Sequence, residues 1–159
     1  MTIICVFDRE LPQRLMSLLS VQRREPIHIR LVSQHFLDFK LDGLSIFTIL
    51  KRLKTKKNAN ITLLIDKKRY IKNTSISIKQ KIQQLVDIGI NFHTINNLHA
   101  KIVTVENNQE KCLLITSANL SYRAYFKAHE AGLYLHNHDE EIFNKFKRYI
   151  THLIMIQNQ

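Results

Sequence analysis

Two periodicities alternate along the chain, and each switch between them marks an element. Leu11, Leu15, Leu18 and Leu19 recur at helical spacing behind Asp8 and Pro12, which can open a helix, and Glu25-Pro26 breaks it. Ile27, Ile29 and Leu31 then alternate with His28 and Arg30, the two-residue period of a strand. Ile46, Ile49, Leu50 and Leu53 return to helical spacing, and 61–65 reads as a short buried strand. Ile78, Ile82, Leu85 and Val86 mark another helix, with Thr74 or Ser75 as its N-cap and Gly89 beyond its end. Segments 90–95, 102–105 and 113–115 read as strands, and Asn107-Asn108 supplies turn chemistry between the last two. One more strand covers 132–135. Asp139 is placed to cap a closing helix with Ile142, Phe146, Ile150 and Leu153 on one face. The alternation predicts an α/β fold, a mixed sheet flanked by helices, in a single domain over 1–159.

Length and composition support a folded chain with a sizeable core: 159 residues, 45% hydrophobic, 3 Gly and 2 Pro, with no linker, repeat or low-complexity stretch. Charge changes the picture more. Lys+Arg 24 against Asp+Glu 13 leaves +11, a field that attracts polyanions such as nucleic acid or an anionic membrane surface. The start, through Phe7, is apolar but too short for a signal peptide, and no later segment is long enough to span a bilayer. Cys5 and Cys112 form no Cys-x-x-Cys pair. Both sit among apolar residues, so both are expected to be buried thiols in a reducing cytoplasm.

The chemistry-bearing stretch is His99-Ala100-Lys101, followed by Thr116-Ser117-Ala118-Asn119 and then Glu130. On a strand, His99 and Lys101 project to one face, setting an imidazole beside an ammonium, a pairing suited to an anionic substrate. Ser117 and Asn119 repeat the two-residue offset and add neutral donors. Glu130 can accept from the second imidazole nitrogen and fix the tautomer. The plainer alternative makes His99 and Lys101 surface residues of a solvated strand, with Ser117 and Asn119 capping a helix near Ala118. It leaves the joint spacing unexplained.

These residues resemble the phospholipase D superfamily, whose motif is His-x-Lys, four residues, Asp, a spacer, then Gly-Ser-x-Asn. His99, Lys101, Ser117 and Asn119 match in place, and Glu130 looks like the glutamate that follows in the family's small nucleases. The resemblance runs from about Pro26 to the final helix. Glu106 stands where the motif has Asp, Thr116 replaces its glycine, and the spacer between them is long, with 107–111 free to form a wider hairpin. Because the family's carboxylate at the Glu106 position is not the nucleophile, that change is expected to be tolerated. The Thr116 change is expected to tighten backbone approach to a phosphate.

What the resemblance implies is a metal-independent phosphodiesterase with no cofactor, most readily an endonuclease acting on DNA before RNA through a phosphohistidine. Each active site of the family uses two motifs, and this chain has one His-x-Lys, so a homodimer is expected. His99, Lys101, Ser117, Asn119 and Glu130 are the expected catalytic set. Lys51 and Arg52, in a basic run with Lys54, Lys56 and Lys57, are expected to track phosphates together with Lys67 and Lys68, unless they only complement a helix end. His136-Asn137-His138 has no ligand cluster beside it in sequence and reads as a loop before the last helix. Two other classes stay open. One is a phospholipid phosphodiesterase, opposed by the lack of an amphipathic docking segment. The other is a catalytically impaired or partner-controlled nucleic-acid-binding subunit, with a regulatory protein partner and a defence role.

Overall fold

A computed structural model describes residues 2–20, 26–136 and 140–157. In chain order the elements are β1 (Thr2–Phe7), α1 (Glu10–Leu18), β2 (His28–Ser33), β3 (Lys40–Leu41), β4 (Leu44–Ser45), α2 (Ile46–Lys57), β5 (Asn60–Asp66), α3 (Lys67–Asn73), α4 (Ile76–Asp87), β6 (Asn91–Ile95), β7 (Ile102–Glu106), β8 (Lys111–Thr116), α5 (Tyr122–Phe126), β9 (Ala131–His136) and α6 (Glu140–Gln157). Seven strands form one mixed sheet in the order β1-β9-β8-β7-β2-β5-β6, and β3 pairs with β4 in a small hairpin. The expected α/β architecture is the one observed.

Strands β2, β5 and β6 run parallel, joined through helices, and β5 is buried over nearly its whole length. Continuous apolar runs suit parallel strands because helices cover both faces. The larger core lies on one face, where Leu31, Leu63, Val103 and Leu114 meet Leu15, Leu50, Leu85 and Tyr125 of the helices. The smaller core lies on the other, where α6 sets Phe143, Ile150 and Leu153 against Val32, Leu64, Ile102, Leu113 and Leu135. Since β7 pairs antiparallel with β2 (Val32 opposite Ile102) and β8 with β7, one edge gathers the ends of β2, β5 and β8 with the start of β7.

Several details differ from the sequence reading. The apolar start is an edge strand, β1, paired antiparallel with β9, so alternate residues face outward and Cys5 is exposed; Cys112 alone is buried. Asp8 does not cap α1. It takes a positive φ of 38°, Arg9 occupies the cap position, and the Asp8 carboxylate serves another strand. Two short helices, α3 and α5, and the β3–β4 hairpin carried no periodicity long enough to announce them. Ser75 is the N-cap of α4, accepting from the Ile78 N–H at 3.3 Å, and Gly89 takes φ +90° just past its end. Asp139, expected as a cap, lies outside the described residues.

Gly132 has a positional reason. It sits opposite Thr116, and a Cβ there would come within 2.6 Å of the Ile115 carbonyl oxygen and 3.2 Å of the Thr116 Cβ. The space missing at Thr116 is thus supplied from the neighbouring strand. Gly132→Ala is expected to lower stability by roughly 2 kcal/mol through overpacking, measured as a fall in the midpoint of denaturant unfolding.

Candidate active site

His99 and Lys101 lie in the irregular segment just before β7 rather than on the strand itself. They still meet: Lys101 Nζ is 3.2 Å from His99 Nδ1 and 3.5 Å from Nε2. His99 is exposed and Lys101 is buried. Burial pulls the Lys101 pKa down, and the negative charge of Glu130 raises it only in part. The ammonium therefore holds a place where charge is costly to leave unpaired, which an anionic substrate would relieve.

The other half of the site comes from the turn after β8. The Thr116 N–H donates to the Lys101 carbonyl (3.1 Å), and the Ser117 N–H donates to the Ala131 carbonyl (2.9 Å). Thr116 turns its hydroxyl inward, donating to the Ala131 carbonyl and accepting from the Ala118 N–H, so the side chain locks the turn. The Ser117 hydroxyl donates to the Glu130 carboxylate. Glu130 therefore reaches Ser117 and influences Lys101 through its charge, while the expected Glu130–His99 hydrogen bond is not formed within one chain. Asn119 Oδ1 accepts from the Ser33 hydroxyl (3.4 Å) and the His35 N–H (3.3 Å), which leaves its amide nitrogen as the donor to offer an anion.

Three supporting residues had no signal in the sequence. Asp66, at the end of β5, accepts from the Arg69 N–H (2.8 Å) and the Leu98 N–H (3.0 Å), tying the start of α3 to the residue before His99. Ser33, at the end of β2, accepts from the Leu120 N–H at 3.0 Å and so anchors the Asn119 loop. Asp8 accepts from the Glu130 N–H (3.0 Å), donates its own N–H to the Glu130 carbonyl (3.0 Å), and pairs with His129 at 3.3 Å. Those contacts, the Glu130 backbone hydrogen bond first, hold its carboxyl below the usual value.

Of the four expected phosphate-tracking residues, Lys67 and Lys68 begin α3 beside Asp66, at the edge that carries His99. Lys51 and Arg52 are exposed on α2, and Lys51 lines a separate cleft with Asp38 and Lys81, so the structure does not bring the two pairs together. His136 also has company that sequence distance concealed. It pairs in register with Cys112, and Glu110, Cys112 and His136 hold ligand-type atoms within 4.8 Å of one another. That trio includes the sealed Cys112 and lies at the opposite end of β8 from Ser117.

Glu106 is not in the site. At the far end of β7 its carboxylate lies 2.9 Å from both Arg30 and Lys147, beneath α6. Burial pushes its pKa up, but the hydrogen bonds and charges of Lys147 and Arg30 outweigh that and hold it below its ordinary 4.5. A depressed folded-state pKa contributes stability that is present above the unfolded value and lost as pH falls through the folded one. Glu106→Gln strands the largely buried Arg30 guanidinium, while the exposed Lys147 can turn to water. It is expected to cost roughly 3 kcal/mol at pH 7, with the gap from wild type closing at acid pH, as thermal melts at several pH values would record.

The comparisons bear on the family and the fold. Residues 21–154 match the family described as cardiolipin synthase, PLD-like domain. Among solved structures the chain is similar to Nuc, a phospholipase D family member from Salmonella typhimurium, at 17% identity, covering 96% of this chain and 93% of that one with a TM-score of 0.73. It is similar to NucT from Helicobacter pylori, at 16% identity over 97% of both chains with a TM-score of 0.64. It is also similar to phosphatidylserine synthase from Haemophilus influenzae Rd KW20, at 14% identity over 94% of this chain and 36% of that one, with a TM-score of 0.65. No curated protein sequence matches it significantly.

Proposed function

Because the chain belongs to the phospholipase D superfamily, in its PLD-like domain family, we propose that it is a metal-independent nuclease that completes its active site as a homodimer. The observation that carries this reading is the convergence of His99, Lys101, Ser117, Asn119 and Glu130 on one edge of the sheet of a chain of charge +11. A polyanion is drawn to such a field, and phosphoryl transfer needs a nucleophile, a proton donor and cations on the equatorial oxygens.

One His99 imidazole attacks phosphorus, and the bond to the leaving oxygen breaks as that oxygen takes a proton from the partner copy's imidazole. The second imidazole, now neutral, removes a proton from water; the hydroxide attacks phosphorus, the P–N bond breaks and the first imidazole is regenerated. Lys101 and the Asn119 amide from both copies stabilise the charge building on the equatorial oxygens. Glu130 acts as a positioning residue through Ser117 and through its charge on Lys101, so Glu130→Gln is expected to lower kcat about tenfold to a hundredfold with little change in KM.

An exposed apolar strip supports a second copy beside the site. On β1 Ile3 is 50% and Phe7 57% exposed, and on β9 Leu133 is 42% exposed, on the part of the α6-bearing sheet face that α6 does not cover. The strip runs up to Asp8 and Glu130, so a two-fold contact there would bring two catalytic edges together.

The deciding experiment is cleavage of labelled DNA, RNA and a fluorescent phospholipid with and without EDTA. Nuclease activity is expected to survive chelation, because every proposed group is a side chain. Activity lost on chelation and restored by Mg²⁺ or Zn²⁺ would sink the mechanism. Turnover of the phospholipid alone would move the protein to the lipid branch suggested by the phosphatidylserine synthase neighbour. Among the described residues no helix is long and apolar enough to cross a membrane.

A further inference from the structure

Resting on that reading, we infer that the substrate is single-stranded nucleic acid, held by stacking an unpaired base on Tyr122 and Phe126. The two rings lie on one face of α5 at the i, i+4 spacing, with centroids 5.2 Å apart and planes 23° apart. Tyr122 is 51% and Phe126 42% exposed. Their neighbour Tyr125 shows what α5 does with an aromatic it needs for stability: it is buried and stacks on Phe39 at 5.5 Å. The outer pair contributes no such burial, yet it stands three residues after Asn119 and four before Glu130.

Its surroundings suit a nucleotide. Lys127 Nζ lies 6.0 Å from the centre of the Tyr122 ring, and Arg123 is exposed on the same short helix. Beside Phe126 opens a cavity of about 510 Å³, whose walls include Arg9, Lys127, His129 and Tyr125. The Tyr125 hydroxyl is buried with no hydrogen-bond partner among the described residues. Cations flanking flat rings follow a backbone while the bases stack, the combination used to hold single strands, and each stacked base is worth about one to two powers of ten in affinity. A duplex keeps its base faces inside its own stack, so it can offer the rings only its phosphates.

The test uses the full chain carrying His99→Ala, which binds without cutting, and fluorescence anisotropy with three labelled probes: a thymidine 15-mer, the same sugar–phosphate chain without bases, and a duplex. The thymidine strand is expected to bind at least about tenfold tighter than the abasic strand. Adding Tyr122→Ala and Phe126→Ala should erase that difference while the salt-dependent affinity for all three remains; Tyr122→Phe should keep it. In the active chain the double variant should lower kcat/KM on single strands about tenfold or more. Equal binding of the base-bearing and abasic strands would overturn the inference. So would a drop in mass by light scattering in the double variant, which would make the rings a contact between copies, or lost binding to anionic vesicles with oligonucleotide binding intact, which would make them a membrane face. Failure to cleave any nucleic acid would instead defeat the nuclease reading, because the binding comparison does not depend on turnover.

Discussion

Replacing His99 with alanine is expected to lower turnover by roughly four orders of magnitude or more, the scale seen when a covalent nucleophile is removed. The same substitution is expected to leave affinity for nucleic acid within about threefold. The asymmetry follows from how the groups are distributed. In the proposed mechanism His99 supplies both the nucleophile and, from the partner copy, the acid, so one substitution removes two roles at once. Binding rests on many cations, since 24 Lys and Arg contribute to the field and His99 is a single exposed ring at its edge. Single-turnover cleavage and anisotropy on the same preparation separate the two quantities. Binding lost while the fold is intact would make His99 a recognition residue, and turnover retained would remove it from the chemistry.

Mixing wild-type chains with an excess of His99→Ala chains is expected to inhibit in a dominant way. The sequence holds one His-x-Lys, and the two-step reaction needs two imidazoles on opposite sides of phosphorus. If each active site lies on a two-fold axis, a mixed dimer holds one imidazole and turns over poorly. With one wild-type chain in about four and random pairing, only about one dimer in sixteen is wholly wild type. Activity after co-refolding should then follow the square of the wild-type fraction. A linear dependence, together with a monomer mass under assay conditions, would show that each chain works alone. Phe7→Asp or Leu133→Asp, placed in the exposed strip, should shift the mass toward monomer and lower activity together.

Much of the fold was legible because it rests on local periodicity. The helices carrying Leu15, Leu50, Leu85 and Ile150 announced themselves by apolar residues at helical spacing, and the parallel strands by short apolar runs. The elements that went unread are those whose residues do not repeat a pattern. The helix α3 buries no side chain, α5 is five residues long, and β1 is an edge strand whose outward face happens to be apolar, which is also why Cys5 looked buried.

For the candidate site, the sequence alone supplied the proposed residues and their spacing: His99 with Lys101, Ser117 with Asn119, Glu130 behind them, and a single copy of the histidine motif. It also determined the sign of the field. Only the tertiary structure decided who touches whom. Glu130 takes Ser117 rather than His99, Glu106 leaves the site for Arg30 and Lys147, and Asp66, Ser33 and Asp8 hold the loops from 32, 87 and 122 residues away along the chain. The physical reason is the range of the forces. Periodicity and motif spacing record neighbours a few residues apart, whereas hydrogen bonds and ion pairs act over about 3 Å of space. Which residues come that close depends on the order and register of strands far apart in sequence, set here by β1 on β9, β9 on β8 and β7 on β2.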